Sequence, residues 1–186
     1  MPGNDGGDGA RPFVPVRIGL MTVSDTRTPE TDKSGDILAE RIVAAGHVLR
    51  ARRIVIDDQE EITGQLMAWI EDEEIDAVIA TGGTGLTGRD VTPEAFESVY
   101  EKAIPGFGEL FRWLSYQNIK TSTIQSRATG GVANGTFLFA LPGSTGACKD
   151  AWDGILVHQL DYRFRPCNFV ELMPRLTETG RATPRK

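Results

Sequence analysis

A chain of 186 residues with a formal net charge of −6 is sized for one domain around one core. Its acidic balance speaks against a nucleic-acid binder held by phosphate attraction, though not against a local basic pocket for a phosphorylated ligand. No apolar run nears the roughly 18 residues of a membrane span, and two cysteines (Cys148, Cys167) with two histidines (His47, His158) offer neither a CxxC pair nor a zinc-ligand cluster.

The opening MPGNDGGDGARP is glycine-rich and acidic, without the basic start and apolar core of a signal peptide, so residues 1–13 are expected to form a disordered tail. VRIGLMTV, Val16 to Val23, is an uninterrupted apolar run and predicts a buried strand. SGDILAERIVAAGH follows with Leu38, Ile42 and Ala45 on one helical face and Gly46 placed to end the helix. RRIVI, Arg52 to Ile56, predicts a second strand, and Ile62, Leu66, Trp69 and Ile70 then repeat at helical spacing. IDAVIAT predicts a third strand that runs straight into a glycine-rich turn. Thr92-Pro93-Glu94 starts the next helix, with Thr92 as N-cap, Pro93 at the first helical position and Glu94 complementing the dipole.

After the Pro105-Gly106 break, Phe107, Leu110, Phe111 and Leu114 mark a further helix. Asn134-Gly135 predicts a tight hairpin turn into the strand TFLFAL. Cys148, Trp152, Ile155, Leu156 and Leu160 stripe a late helix, which makes Cys148 a buried thiol and suits a reduced, cytoplasmic setting. Residues 173–186 read as a second, polar tail, leaving 14–172 as the domain. Alternating strands and helices predict an α/β three-layer sandwich with a mostly parallel sheet. In such a sheet Ser24-Asp25-Thr26, Asp57-Asp58, Thr81-Gly82-Gly83-Thr84-Gly85 and Pro142-Gly143-Ser144 all leave strand ends at one edge, where ligands bind.

The glycine-rich turn, ATGGTGLTGRDVTPEAF over residues 80–96, imitates two nucleotide motifs. GTGLTG has the G-x-G-x-x-G spacing, but it follows the third strand, and the residue about 20 positions on is Glu109 inside a helix rather than an acid at a strand end. Gly83 to Asp90 nearly spell a P-loop, yet Arg89 and Asp90 stand where its Lys and Ser/Thr belong. A carboxylate beside that arginine repels phosphate unless a metal bridges them. Asp90 as a Mg²⁺ ligand, with Asp57 across the cleft as the second carboxylate, makes sense of the mismatch. Gly82, Gly83 and Gly85 would let backbone N–H groups approach phosphate oxygens, and Thr81 and Thr84 add hydroxyl donors. Each feature also has a plainer reading: structural turn glycines, Asp90 as a helix-dipole partner, Asp57, Asp58, Ser24 and Asp25 as turn formers, and Ser144 as an N-cap.

TVSDTR, TGGTGLTGRDVTPEAF, IPGFGELFR, TSTIQSRA, GVANGTFLFALPGSTGAC and RPCNF together resemble the MoaB/MogA family of molybdenum cofactor biosynthesis proteins over roughly residues 14–170. TSTIQSRA and RPCNF look closer to MoaB. The resemblance implies a molybdopterin-binding cleft and, in active members, adenylylation of molybdopterin by Mg²⁺-ATP with release of pyrophosphate. It implies catalytic, metal-holding acids at Asp57 and Asp90, with Asp58 leaving the first assignment ambiguous by one residue. It implies nucleotide and phosphate contacts from Thr81 to Gly85, and a cleft lined for pterin or nucleotide by Ser24, Asp25, Pro142, Gly143 and Ser144. It also implies a homo-oligomer, hexameric as in MoaB or trimeric as in MogA, for which Phe111 and Trp113 suit an interface and a core equally. A non-catalytic molybdopterin-binding or scaffold protein is the alternative from another class, and a nucleotide-processing enzyme on the same fold is a third.

Overall fold

The computed structural model describes residues 11–178. The long apolar run becomes β1 (Arg17–Val23), which continues through α1 (Lys33–Ala44) to β2 (Val48–Val55). Then come α2 (Gln59–Ile70), β3 (Ala77–Thr81), α3 (Thr92–Val99), β4 (Lys102–Ala103) and α4 (Pro105–Ile119). β5 (Thr129–Ala133), β6 (Thr136–Leu141) and α5 (Thr145–Ala151) complete the sandwich. The six strands form one sheet in the order β2-β1-β3-β6-β5-β4.

Alternation along the strands sends side chains to two helical layers. Ile18 and Leu20 of β1, Ala77 and Ile79 of β3, and Phe137 and Phe139 of β6 pack with Leu38, Phe111 and Ala151 of α1, α4 and α5. Met21, Val78, Ala80, Leu138 and Ala140 face the other way, onto Leu66 and Trp69 of α2 and Phe96 of α3. Each of the larger of these side chains, the buried valine, leucine, isoleucine, methionine and phenylalanine, contributes about 1.5–3 kcal/mol over its exposed state. The expected three-layer α/β sandwich is therefore the fold.

β2, β1, β3 and β6 run parallel and end level, with Val23 opposite Val55, Thr22 opposite Thr81, and Thr81 opposite Leu141. Their four following loops share one edge, as the alternation predicts. The remaining strands are antiparallel: the hairpin at Asn134 and Gly135, with φ of 44° and 82°, turns β5 onto β6, and β4 adds at the far edge. TGGVA has little strand propensity, which hid β5. Its glycines are there for contact, because a Cβ on Gly130 would stand 3.2 Å from the Phe107 ring and one on Gly131 2.3 Å from the Tyr100 ring.

Several boundaries differ from expectation, and β2 begins at Val48, four residues before the expected Arg52. Thr92 is not the N-cap of α3: Val91 holds that place without a side-chain bond, the Thr92 N–H donates to Gly83 O at 3.0 Å, and the helix starts one residue earlier, at Thr92 itself. The late helix is not uniform, since α5 widens into a π turn over Trp152–Leu156 where Gly154 passes Leu114. The packed body also runs past residues 14 and 172. Arg11 pairs with Glu171 at 3.1 Å, the Phe13 ring lies 5.2 Å from His47, and Met173 and Leu176 rest on the core. Of the tails expected at 1–13 and 173–186, residues 1–10 and 179–186 lie outside the described residues.

Candidate functional site

The loop after β3 turns through two successive left-handed glycines, Gly82 at φ 106° and Gly83 at φ 63°. A Cβ on Gly82 would meet Val23 O at 2.2 Å, and one on Gly143 would lie 3.2 Å from the Gly82 α-carbon. Only glycine allows the loops after β1, β3 and β6 to converge this closely. Thr81 secures that convergence from below. It is fully buried, its hydroxyl donates to Pro142 O at 3.0 Å, and it lies 3.1 Å from Cys148 Sγ. Cys148 is buried as expected, and burial pushes its thiol up to about 11.

A cleft of about 380 Å³ opens above the loop, bounded by Gly83, Thr84, Gly85, Asp90, Pro142, Gly143 and Ser144. Seven of the expected site residues thus meet in one space. Ser24, Thr81 and Gly82 line an adjoining pocket of about 140 Å³ that shares Gly143 with the cleft. Asp25 and Asp57 lie outside both walls; Asp25 acts as a strut, accepting from Asp57 N at 3.1 Å and pairing with Arg89. Ser144 N-caps α5, its Oγ accepting from Ala147 N at 3.2 Å.

The two acids flank the glycines. A Cβ on Gly83 would stand 2.9 Å from Asp57 Oδ1, and one on Gly85 2.8 Å from Asp90 Oδ2. Asp58 instead caps α2, accepting from Glu60 N at 3.0 Å and Glu61 N at 3.1 Å, so the acid on the loop side after β2 is Asp57. The pair differ electrostatically. The Thr87 hydroxyl and N–H donate to Asp90 Oδ2 at 2.6 and 2.8 Å and hold its carboxyl below the usual aspartate value, against a smaller desolvation cost. Burial pushes Asp57 above that value; a weak bond from Val91 N opposes the shift, and the charges of Asp90 and Asp25 reinforce it.

Among the described residues, no three His, Cys, Asp or Glu side chains gather closely enough to hold a metal ion. A cation at Asp57 and Asp90 would complete its shell with substrate oxygens and water, which is how Mg²⁺ prefers to be held. The acid pair fits such an ion, since two carboxylates that repel each other beside backbone N–H groups are neutralised by it.

Several residues of the site were not foreseen. Phe111, Ser115 and Ile119 of α4, with Ser122, Gln125 and Ser126 after it, form the opposite wall of the cleft. Phe111 is buried and belongs to core and cleft wall at once, whereas Trp113 is 62% exposed. Arg127 braces the glycine loop, its Nε donating to Gly85 O and its Nη2 to Asp90 O, both at 2.7 Å, while it pairs with Glu94. Its own N–H reaches Thr84 O at 3.2 Å. The hydroxyl-rich TSTIQSR run was the available signal, yet no spacing within it shows that it folds back onto a loop some forty residues earlier.

Residues 19–162 match the family described as "Probable molybdopterin binding domain". Molybdenum cofactor biosynthesis protein B of Escherichia coli K12 is 48% identical over 157 residues, spanning 84% of this chain and 92% of the relative. The protein of the same name from Bacillus subtilis is 45% identical over 151 residues, 81% of this chain and 89% of its own. A crystal structure of a molybdenum cofactor biosynthesis protein B superposes with a TM-score of 0.81 at 40% identity, covering 89% of this chain and 98% of that one. The tungsten cofactor synthesizing protein MoaB of Pyrococcus furiosus gives 0.68 at 35% identity, covering 76% and 91%.

Proposed function

The chain belongs to the MoaB/MogA family of molybdenum cofactor biosynthesis proteins, and from that premise we propose that it binds molybdopterin in the glycine-loop cleft and adenylylates it with Mg²⁺-ATP. One observation carries the reading: the Asp57 carboxylate borders Gly83 and the Asp90 carboxylate borders Gly85, so a phosphate held at this loop would meet both acids. The terminal phosphate oxygen of the pterin forms the new bond to the α-phosphorus of ATP, the bond to the β-phosphate oxygen breaks, and pyrophosphate leaves with the electron pair.

An ionised phosphate is its own nucleophile, so no side chain needs to take a proton from it. The protein's task is alignment and charge neutralisation. Gly83 and Gly85 bring backbone close to the phosphates, and Arg127 holds the loop and the Asp90 backbone still. Asp57 and Asp90 would hold the Mg²⁺ ion, which when bound screens the charge of the triphosphate. Ser115, Ser122 and Ser126 on the facing wall offer hydroxyls to the pterin side. Leu110, Trp113, Tyr116, Ile119 and Ile124 leave an exposed apolar face along α4 and the turn after it. That face supports assembly into a homo-oligomer, and the MoaB-like segments TSTIQSRA and RPCNF favour a hexamer over a trimer. A cytoplasmic setting accords with the free, exposed thiol of Cys167.

The test is purified protein with molybdopterin and Mg²⁺-ATP, scored for adenylylated pterin and pyrophosphate, with Asp57→Asn and Asp90→Asn alongside. Wild type should form both products, and each variant should lose on the order of 10²-fold or more in turnover while keeping pterin affinity. Tight pterin binding without product in the wild type would make the chain a non-catalytic carrier or scaffold instead.

A further inference from the structure

One hydroxyl beside this cleft has no partner. Thr92 is fully buried at the start of α3, and its Oγ1 makes no hydrogen bond. Buried polar atoms are almost always paired, and exceptions call for a water, an ion or a functional role. The surroundings narrow the choice. A Cβ built on Gly83 would lie 2.3 Å from Thr92 Oγ1 and 2.9 and 3.1 Å from the two oxygens of Asp57. Hydroxyl and carboxylate therefore border the same small space, which stays open because residue 83 is a left-handed glycine.

Asp57 is loosely held on that side. Its Oδ1 takes only a long 3.4 Å bond from Val91 N, the residue before Thr92. The Thr92 N–H is already committed to Gly83 O, so the hydroxyl is the remaining donor at this point of the chain. A turn of the carboxylate toward this shared space would bring it to the hydroxyl.

We propose that Thr92 is a positioning residue for Asp57: its hydroxyl donates to the Asp57 carboxylate when a divalent cation engages the acid pair, and so aims the other oxygen at the ion. The inference rests on the reading of Asp57 and Asp90 as a cation pair. Outer partners of this kind orient ligating carboxylates, and their loss typically lowers metal affinity about 10–100-fold.

The experiment follows Mn²⁺ by electron paramagnetic resonance while Mn²⁺ and α,β-methylene-ATP are titrated together onto the full-length protein. Wild type, Thr92→Val, Thr92→Ser and Asp57→Asn are compared, and thermal unfolding of each unliganded protein is recorded. Thr92→Val keeps the shape but deletes the unpaired hydroxyl. It should raise the unliganded Tm and weaken Mn²⁺ binding by about 10–100-fold, and Thr92→Ser should restore the affinity.

A Thr92 of merely structural value gives a different result. If Thr92→Val lowers the Tm, or leaves Mn²⁺ affinity unchanged while Asp57→Asn abolishes it, the proposal is overturned and the cation pair stands. If wild type shows no protein-bound Mn²⁺, the cation-pair reading fails and takes the proposal with it.

Discussion

Asp32 and Asp57 both follow strands at the same edge of the sheet, and the fold treats their charges in opposite ways. Asp32 is 1% exposed and fully matched: Arg52 Nη2 donates to it at 2.7 Å, Thr22 Oγ1 at 2.8 Å and Gly35 N at 3.0 Å. Burial alone would push its carboxyl up, but these partners together bring it below the usual value. Asp57 has one long backbone bond and two neighbouring acids, and its carboxyl is raised. A matched charge holds β1, β2 and α1 together. An unmatched one is left for something the protein does not itself supply.

The largest effect expected from this contrast is on stability. Asp32→Asn breaks the ion pair and weakens the cap of α1, leaving Arg52 short of a partner inside the fold. Loss of one member of a buried pair costs roughly 3–5 kcal/mol. Arg52 keeps 29% of its side chain in water and a second bond to Asp36, which places the cost near the lower end, at about 3 kcal/mol. Urea unfolding reads it directly. A loss under about 1 kcal/mol would reduce Asp32 to an ordinary surface pair and erase the contrast with Asp57.

Arg127→Gln tests whether the loop needs bracing from outside. It removes charge-assisted bonds to Gly85 O and Asp90 O and the pairing with Glu94, at a stability cost of about 1–2 kcal/mol. Turnover should fall more than that suggests, by about tenfold or more, because Asp90 is positioned through its backbone. Molybdopterin affinity, measured by fluorescence titration, should stay within about twofold, since a loosened loop leaves the pterin wall intact. Parallel loss of turnover and pterin affinity would show Arg127 to be a general prop for the cleft.

Asp57 was legible in the sequence because it stands at a strand end opposite a glycine loop, and both features are local. Asp32 was not, since nothing in TPETDKSGD says that the acid turns inward to meet Arg52 from a neighbouring strand. The same division holds for the backbone. Gly82 and Gly83 could be read because glycines bunch where a chain turns sharply. The Gly130-Gly131 pair of β5 gave no strand signal, because Phe107 and Tyr100, whose rings need the space, come from other elements. Arg127 was invisible as a site residue for that reason too. Periodicity and turn chemistry declare what the chain does within a dozen residues. Partners brought together by the parallel crossovers emerge only in the fold.

The smallest effect is also the sharpest test, because the two acids must disagree in sign. A carboxyl lowered by folding stabilises above its unfolded value, and that contribution is lost as pH falls through the folded value. The deficit of Asp32→Asn should therefore be full near neutrality and shrink in acid, below the ordinary aspartate range. A carboxyl raised by folding favours the folded state only while protonated, and its contribution disappears as pH rises through the folded value. Replacing Asp57 with neutral Asn should then stabilise the unliganded protein slightly at neutral pH, and the gain should vanish on acidification. Thermal unfolding of both variants across an acid-to-neutral series separates them. If Asp57→Asn destabilises at neutral pH, then Asp57 is a matched structural acid like Asp32, and its place beside the glycine loop says nothing about a cation.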